Sequence, residues 1–471
     1  MKPNILLVVF DTARVDAFEP YGAPAGRSPV IADLARRGSA APYTMSTAGW
    51  TVPAHVSMFS GVMPRSVGLG QAHEGGRQCR PVMEDLNEQG RILPEVLRRN
   101  GYETQGISAN LWIDAHTGFD IGFDSFQRLD TRRIKADFWE GRRSYVRWMV
   151  EALRARLDDG AMAAERVMED WIGRRSEKPF FWFINLLECH SPYMPPRPYN
   201  SMGPLARMRA AHDVRTYQGL EPTFKACLKH SVIDPDILAR LRTLYTDSIL
   251  QVDAWMGRIL DMLERNRLLD DTLVIATSDH GENLGEGRLL GHAFSIDQRL
   301  VHVPLVTAGP GAFDRPGMTS LRDMPRLVAD AAGITGTAWH DQDLTTDVAL
   351  AEWENMLEPG DPRGPELLEN WDLPEDALRR LTVPMTAAID GRYKLLLDGD
   401  REALYDLSVD PLEAAPIADP AARGIPAEVV ERLRAAVRST HVGHASMPEP
   451  AAETSDEEAE LERQMRVLGY M

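Results

Sequence analysis

The sequence predicts an α/β fold: a doubly wound, largely parallel sheet flanked by helices, followed by a smaller antiparallel C-terminal subdomain. Three observations carry that expectation. Continuous apolar runs stop abruptly at polar residues, helical periodicity fills the stretches between them, and beyond about residue 330 the pattern changes to short strands.

Ile5-Leu6-Leu7-Val8-Val9-Phe10 is unbroken and rich in branched side chains, the pattern of a strand buried on both faces, and it ends at Asp11. Pro179 to Asn185 and Thr272 to Asp279 repeat that pattern. Arg91 to Asn100, closed by Gly101, reads as a helix. Leu238 to Arg267 reads as a long amphipathic one, with Leu244, Ile249, Val252, Met256, Ile259 and Leu263 on one broad face. Ligands of open α/β sheets bind beyond the carboxyl ends of the parallel strands, so polar residues after each run are the first candidates for chemistry. Residues 1–330 are expected to form the catalytic domain, with the charged, Met- and Arg-rich stretches 131–176 and 197–235 as insertions or lids. Residues 331–445 are expected to form an α+β subdomain, with a hairpin over Ala387 to Asp398 turning at Asp390-Gly391 and a strand over Glu402 to Leu407. Residues 446–471 read as an acidic tail, Glu453 to Glu462, ending in a short segment with Met465, Val467 and Leu468.

A chain of 471 residues accommodates one large core plus a smaller companion. With 44% hydrophobic and 26% charged residues, the composition excludes a wholly disordered or collagen-like chain. Lys plus Arg is 52 against 70 Asp plus Glu, a net charge of −18, which opposes nucleic-acid and anionic-membrane partners through bulk charge. A small anion entering a locally positive pocket is not opposed. The three cysteines, Cys79, Cys189 and Cys227, are too scattered for a disulfide framework or a thiolate metal site and read as buried thiols. The apolar run at the start is too short for a signal-peptide core or a membrane span, which predicts a cytoplasmic protein.

Asp11 follows the first strand and Asp279-His280-Gly281-Glu282 the late one, so strands distant in sequence could deliver two carboxylates and an imidazole to one edge. Such donors suit Mn²⁺, Zn²⁺, Mg²⁺ or Ca²⁺ without deciding among them, and each Asp taken alone reads equally as a turn cap. Pro53 marks a helix start, placing Thr51 just before an N-terminus whose free N–H groups favour a tetrahedral anion. A hydroxyl there is either an N-cap or, beside a cation, a nucleophile.

Further segments fall in order along the chain. They are Pro3-Asn4-Ile5-Leu6 through Asp11-Thr12-Ala13-Arg14-Val15-Asp16 to Tyr21-Gly22, and Trp50-Thr51-Val52-Pro53-Ala54-His55 with Phe59-Ser60-Gly61 and Pro64. Gly101-Tyr102-Glu103-Thr104, His190-Ser191-Pro192-Tyr193, Tyr245 to Asp253 and Ser278-Asp279-His280-Gly281-Glu282 follow. Gly291-His292 with Val303-Pro304-Leu305, then Tyr405-Asp406-Leu407 with Asp410-Pro411, complete the series. It resembles the sulfatase-like branch of the alkaline phosphatase superfamily over most of the chain. The resemblance implies a divalent metal and hydrolysis or transfer of phosphoryl or sulfuryl groups through a covalent intermediate. By position it implies Asp11, Asp279 and His280 as metal ligands, joined by Thr51 as the nucleophile.

The departures narrow the expectation. Sulfatases carry Cys or Ser at the position of Thr51, convert it to formylglycine, and follow it with a Pro and an Arg; here Pro53 and His55 follow. Threonine cannot become that aldehyde, so no formylglycine is expected. A formylglycine hydrate expels sulfate by collapsing to the carbonyl, an exit closed to a threonine sulfate, whereas a threonine phosphate is open to water at phosphorus. The expected partner is therefore a small-molecule anionic ester substrate: a phosphoester, phosphodiester or phosphonate ester. A sulfate ester is the alternative on the same fold, and a catalytically silent anion- or protein-binding member the alternative from another class. Leu186-Leu187-Glu188-Cys189 before His190 lacks the Asp of two-zinc relatives, and Thr12 stands where many sulfatases have a second Asp. One divalent ion is expected, as in phosphonate monoester hydrolases and phosphoglycerol transferases, unless Glu188 substitutes. The resemblance makes His190 a general acid or substrate contact and His292 a stabiliser of transition-state charge. It makes His55, Tyr102, Thr104 and Asn110 substrate-binding residues, although Tyr102 reads equally as core packing. Arg14 and Asp16 are expected to pair structurally, and self-association into a homo-oligomer is left open.

Overall fold

A computed structural model of the protein describes residues 2–69, 75–129, 141–156 and 158–440. The acidic tail at 446–471 and residues 131–140 of the first expected insertion lie outside the described residues.

Seven strands form the central sheet: β1 Asn4–Phe10, β2 Ser39–Ala40, β3 Glu103–Ser108, β4 Ser125–Arg128, β5 Phe180–Leu186, β6 Thr272–Thr277 and β7 Leu305–Ala308. Their order across the sheet is β2-β7-β6-β1-β5-β3-β4, and β7 alone among them runs antiparallel to its neighbours. The apolar runs fill both faces because successive strand residues point to opposite sides. Ile5, Leu7 and Val9 join one core with Phe181, Phe183 and Ile275, while Leu6, Val8 and Phe10 join the other with Trp182, Ile184 and Val274. Val52, Val56 and Phe59 of the Thr51–Ser60 helix cover the first face; Leu244, Val252, Met256 and Ile259 of the Pro235–Arg265 helix cover the second.

Register sets the level at which the chemistry emerges. Val9 pairs with both Asn185 and Thr277, so Asp11 and the residues following β5 and β6 leave the sheet side by side. The expected insertions are helical: Gly141–Arg154 and Ala161–Arg174 in the first, Pro204–Tyr217 and Leu220–Leu228 in the second.

The second sheet is antiparallel, in the order β8 Ala349–Trp353, β9 Met385–Ile389, β10 Tyr393–Asp398, β11 Arg401–Asp406. The expected hairpin is β9–β10, closed by the Asp390 N–H donating to the Tyr393 carbonyl at 3.0 Å. Val430, Leu433 and Val437 of the Ala427–Ser439 helix pack on Ala388, Leu395 and Leu404. This sheet also grips the large one near its carboxyl edge. The Glu352 N–H donates to the Thr47 carbonyl at 2.8 Å, four residues before Thr51, and fully buried Lys394 donates to the Ile296 carbonyl at 2.6 Å, four residues after His292. The three cysteines are buried and unbridged, and no helix among the described residues is long and apolar enough to cross a membrane.

Candidate active site and metal centre

Asp11 and Asp279 extend from β1 and β6, with His280 next along the chain. All three are fully buried, and one ligand atom from each lies within 4.8 Å of the others. The surroundings satisfy only part of the two carboxylates. Asp11 Oδ2 accepts from Asn110 Nδ2 at 2.7 Å, and Asp279 Oδ1 accepts from the Thr12 and His280 N–H groups at 3.2 and 2.9 Å. Asp11 Oδ1 and Asp279 Oδ2 have no hydrogen-bond partner. His280 Nδ1 donates to the Gly281 carbonyl at 2.9 Å, which leaves the Nε2 lone pair toward the carboxylates. A side chain at position 281 would collide with the loop behind, because a Cβ there would stand 1.9 Å from the Arg299 carbonyl oxygen.

The electrostatics suit a bound cation. Burial, and then the neighbouring Asp11, push the Asp279 carboxyl well above its ordinary pKa, while burial and then His292 hold His280 well below its own. Two buried carboxylate oxygens without donors and a neutral imidazole lone pair fit a hard or borderline divalent ion.

Thr51 is the first residue of its helix rather than the residue before it, with extended Trp50 as the N-cap. Its Oγ1 stands 3.3 Å from His280 Nε2 and 3.5 Å from Asn110 Nδ2, so it faces the three-residue cluster instead of capping its helix. One turn later His55 is fully buried, edge-on to Phe119 and Phe183. Its Nδ1 donates to the Thr51 carbonyl at 2.9 Å and lies 3.5 Å from Asp279 Oδ2, and Asn185 Nδ2 approaches Nε2 at 3.4 Å. Burial lowers its pKa to about 4, so His55 is a neutral prop beneath Thr51.

Opposite the carboxylates stand two further imidazoles. The His292 ring lies 4.6 Å from that of His280 and 4.9 Å from that of His190, centroid to centroid. His292 Nδ1 contacts Glu282 Oε1 at 3.0 Å; burial works against a charge on His292, but Glu282 outweighs it and raises the pKa. His190 is held below its ordinary value by desolvation. Arg14 and Asp16 pair at 2.6 Å as expected.

Tyr102 and Thr104 do not reach the site as the expected substrate contacts. Tyr102 and Thr104 lie at the amino end of the sheet, where Thr104 is level with Phe181 and Phe181 with Ile5, six residues before Asp11. The Tyr102 hydroxyl donates to the Pro3 carbonyl at 3.0 Å and Thr104 Oγ1 to the Gly122 carbonyl at 2.9 Å, so both are structural. Glu188 is engaged through Oε1, which accepts from the Ala161 N–H at 2.7 Å at the start of an insertion helix, while its Oε2 has no hydrogen-bond partner. Sequence reasoning missed Asn185 and assigned no role to Glu282. Asn185 is the penultimate residue of β5 and Glu282 lies just beyond β6, so a place at the carboxyl edge is the available signal.

A family model for sulfatases matches residues 3–334. A choline-sulfatase of Rhizobium meliloti is 26% identical over 459 residues, covering 89% of this chain and 83% of its own. A multifunctional alkaline phosphatase superfamily protein, PehA, of Trinickia caryophylli is 23% identical over 423 residues, covering 76% and 79%. Among solved structures, a phosphonate monoester hydrolase of Agrobacterium radiobacter superposes with a TM-score of 0.64 at 20% identity, over 94% of this chain and 96% of that one. A 2-O GAG sulfatase gives 0.65 at 18% identity, over 96% and 99%. With the family model spanning well over half the sequence, this chain belongs to the sulfatase family, within the hydrolases of the alkaline phosphatase superfamily.

Proposed function

We propose that the protein is a metal-dependent hydrolase or transferase of phosphoesters, phosphodiesters or phosphonate esters, acting through a covalent Thr51 intermediate. The observation that carries this reading is the threonine itself, its Oγ1 3.3 Å from His280 Nε2 at the head of a buried helix. One divalent ion held by Asp11, Asp279 and His280 would lower the pKa of the Thr51 hydroxyl and offset charge on the substrate's oxygens. The Thr51 hydroxyl releases its proton to solvent, its oxygen attacks phosphorus, the bond to the ester oxygen breaks, and that oxygen leaves with a proton relayed from solvent through His190. Water or an acceptor alcohol then attacks the phosphothreonine at phosphorus, releasing the phosphoryl product and restoring the hydroxyl. Through both steps Asn110 holds Asp11, and His292, held by Glu282, faces developing negative charge.

The likeness to choline-sulfatase supports a second reading, a sulfate ester substrate. A panel of nitrophenyl phosphate, phosphodiester, phosphonate and sulfate esters, assayed with metals restored after chelation, separates the two. Phosphorus esters should turn over faster, and mass spectrometry after rapid quenching should find phosphate on the Thr51 peptide. Comparable multiple-turnover sulfate release would overturn the phosphoester reading.

A further inference from the structure

Most buried arginines here are matched by carboxylates: Arg14 pairs with Asp16 at 2.6 Å and Glu286 at 3.0 Å, and Arg299 with Asp297 at 2.5 Å. Arg207 is not. It lies in the first turn of the Pro204–Tyr217 helix, is 3% exposed, and makes no ion pair among the described residues. Its Nη1 donates to the Leu153 carbonyl at 3.4 Å and its Nη2 to the Met202 carbonyl at 3.2 Å, while Nε has no hydrogen-bond partner. The neighbouring charge is another cation: the Arg197 N–H donates to the Ala155 carbonyl at 2.8 Å, two residues from the Leu153 carbonyl that Arg207 holds, and burial and then Arg197 keep Arg207 below its ordinary pKa.

The placement compounds the conflict. A helix N-terminus is the positive end of the dipole and carries N–H groups without intrahelical partners, so a cation belongs at the other end. Helical side chains lean toward the N-terminus, and the bond to Met202, just before the Gly203 N-cap, holds Arg207 over that end. A buried cation without a counter-charge destabilises the fold that contains it. In a chain of net charge −18, neither guanidinium makes an ion pair among the described residues, and the carboxylate near this helix end, Asp247, is engaged by the Ser201 N–H and hydroxyl at 2.8 and 2.9 Å.

We propose that Arg197, Arg207 and the amino end of the Pro204–Tyr217 helix bind a tetrahedral oxyanion of the phosphate or sulfate class, through residues distinct from the Asp11, Asp279 and His280 centre. The two carbonyl bonds fix the Arg207 guanidinium, its unpartnered Nε supplies a donor, and exposed Arg197 on the preceding loop adds the second charge. The site does not depend on the reaction proposed for Thr51.

Calorimetric titration of inorganic phosphate into the metal-replete protein tests it. One bound equivalent should weaken at least tenfold in Arg197→Gln and in Arg207→Gln, and Arg207→Lys should recover part of the loss. Arg197 is exposed, so Arg197→Gln keeps the test valid even where Arg207→Gln fails to fold. Phosphate binding of unchanged stoichiometry and affinity in Arg197→Gln, or no phosphate binding by the wild-type protein, overturns the proposal.

Discussion

At the amino ends of the central strands the polar side chains find backbone partners close by, whereas at the carboxyl ends buried polar atoms are left over. Tyr102 bonds Pro3, Thr104 bonds Gly122, and Asn4 Oδ1 accepts from the Phe180 N–H at 3.2 Å. Asp11 Oδ1 and Asp279 Oδ2, about 20 Å further along β1 at the usual strand rise, accept nothing. Buried polar groups are normally paired, so unused acceptors concentrated at one edge mark where a ligand belongs. The polar side chains named at the other edge only hold strands together.

The strongest challenge to that contrast is Asp279→Ala. It removes an acceptor that nothing in the protein satisfies, and should empty the metal centre and lower turnover at least about thousandfold. Metal analysis should fall from about one equivalent to none; retention of the ion, or two equivalents in the wild type, would break the single-metal reading. Thr51→Ala should cost a comparable factor in turnover while keeping the fold and most of the metal, and Thr51→Ser should retain some activity because the hydroxyl survives without the β-methyl that restricts its rotamers. Near-wild-type turnover by Thr51→Ala would reopen the choice of nucleophile.

Asn110→Ala tests the layer behind the ligands. Loss of its 2.7 Å bond to Asp11 Oδ2 frees that carboxylate to turn, which should weaken metal affinity or turnover roughly 10- to 100-fold. An effect below twofold would show that the sheet alone holds Asp11 in place.

Glu188 sharpens the comparison from the edge of the site. Burial, then Asp158 and Asp159, push its carboxyl up to about 8 from an ordinary 4.5. The native state therefore binds the proton more tightly than the unfolded chain, and this contribution to stability is complete below about 4.5 and lost as pH rises toward 8. Glu188→Gln, which mimics the protonated acid, should flatten that slope by about 1–3 kcal/mol, read from denaturant midpoints at pH 5 and pH 8.5. An unchanged slope would remove Glu188 as its source.

What was legible in the sequence follows the same divide. Runs buried on both faces announce themselves by composition alone, so β1, β5 and β6 appear within a residue or two, and the residues just beyond them, Asp11, Asp279 and His280, converge as expected. Short edge strands such as β2, with two residues, and β4, with four, carry too little pattern to be seen, since their partners rather than their own side chains define them. Tyr102 and Thr104 were misplaced for a physical reason visible in hindsight. Tyr102 immediately precedes β3 and Thr104 is its second residue, and the start of a parallel strand lies at the edge opposite the site. His55 is expected at the substrate from the resemblance alone, standing after Pro53 where sulfatases carry an Arg, but that face of the helix packs inward on Phe119 and Phe183.

The smallest effect expected is also the most direct test of the inert edge. Tyr102→Phe removes the hydroxyl that donates to the Pro3 carbonyl at 3.0 Å and leaves the ring, which belongs to the same buried core as Leu97 and Ile92. Only a neutral hydrogen bond is lost, and Pro3 keeps a carbonyl with one fewer donor, so stability should fall by about 1 kcal/mol. Turnover should stay within about twofold, because each strand between Tyr102 and the metal ligands is held by its own ladder and the change has no polar path along it. A tenfold loss of kcat/KM in a variant whose denaturant midpoint barely moves would return Tyr102 to the substrate, and with it dissolve the distinction between the two edges.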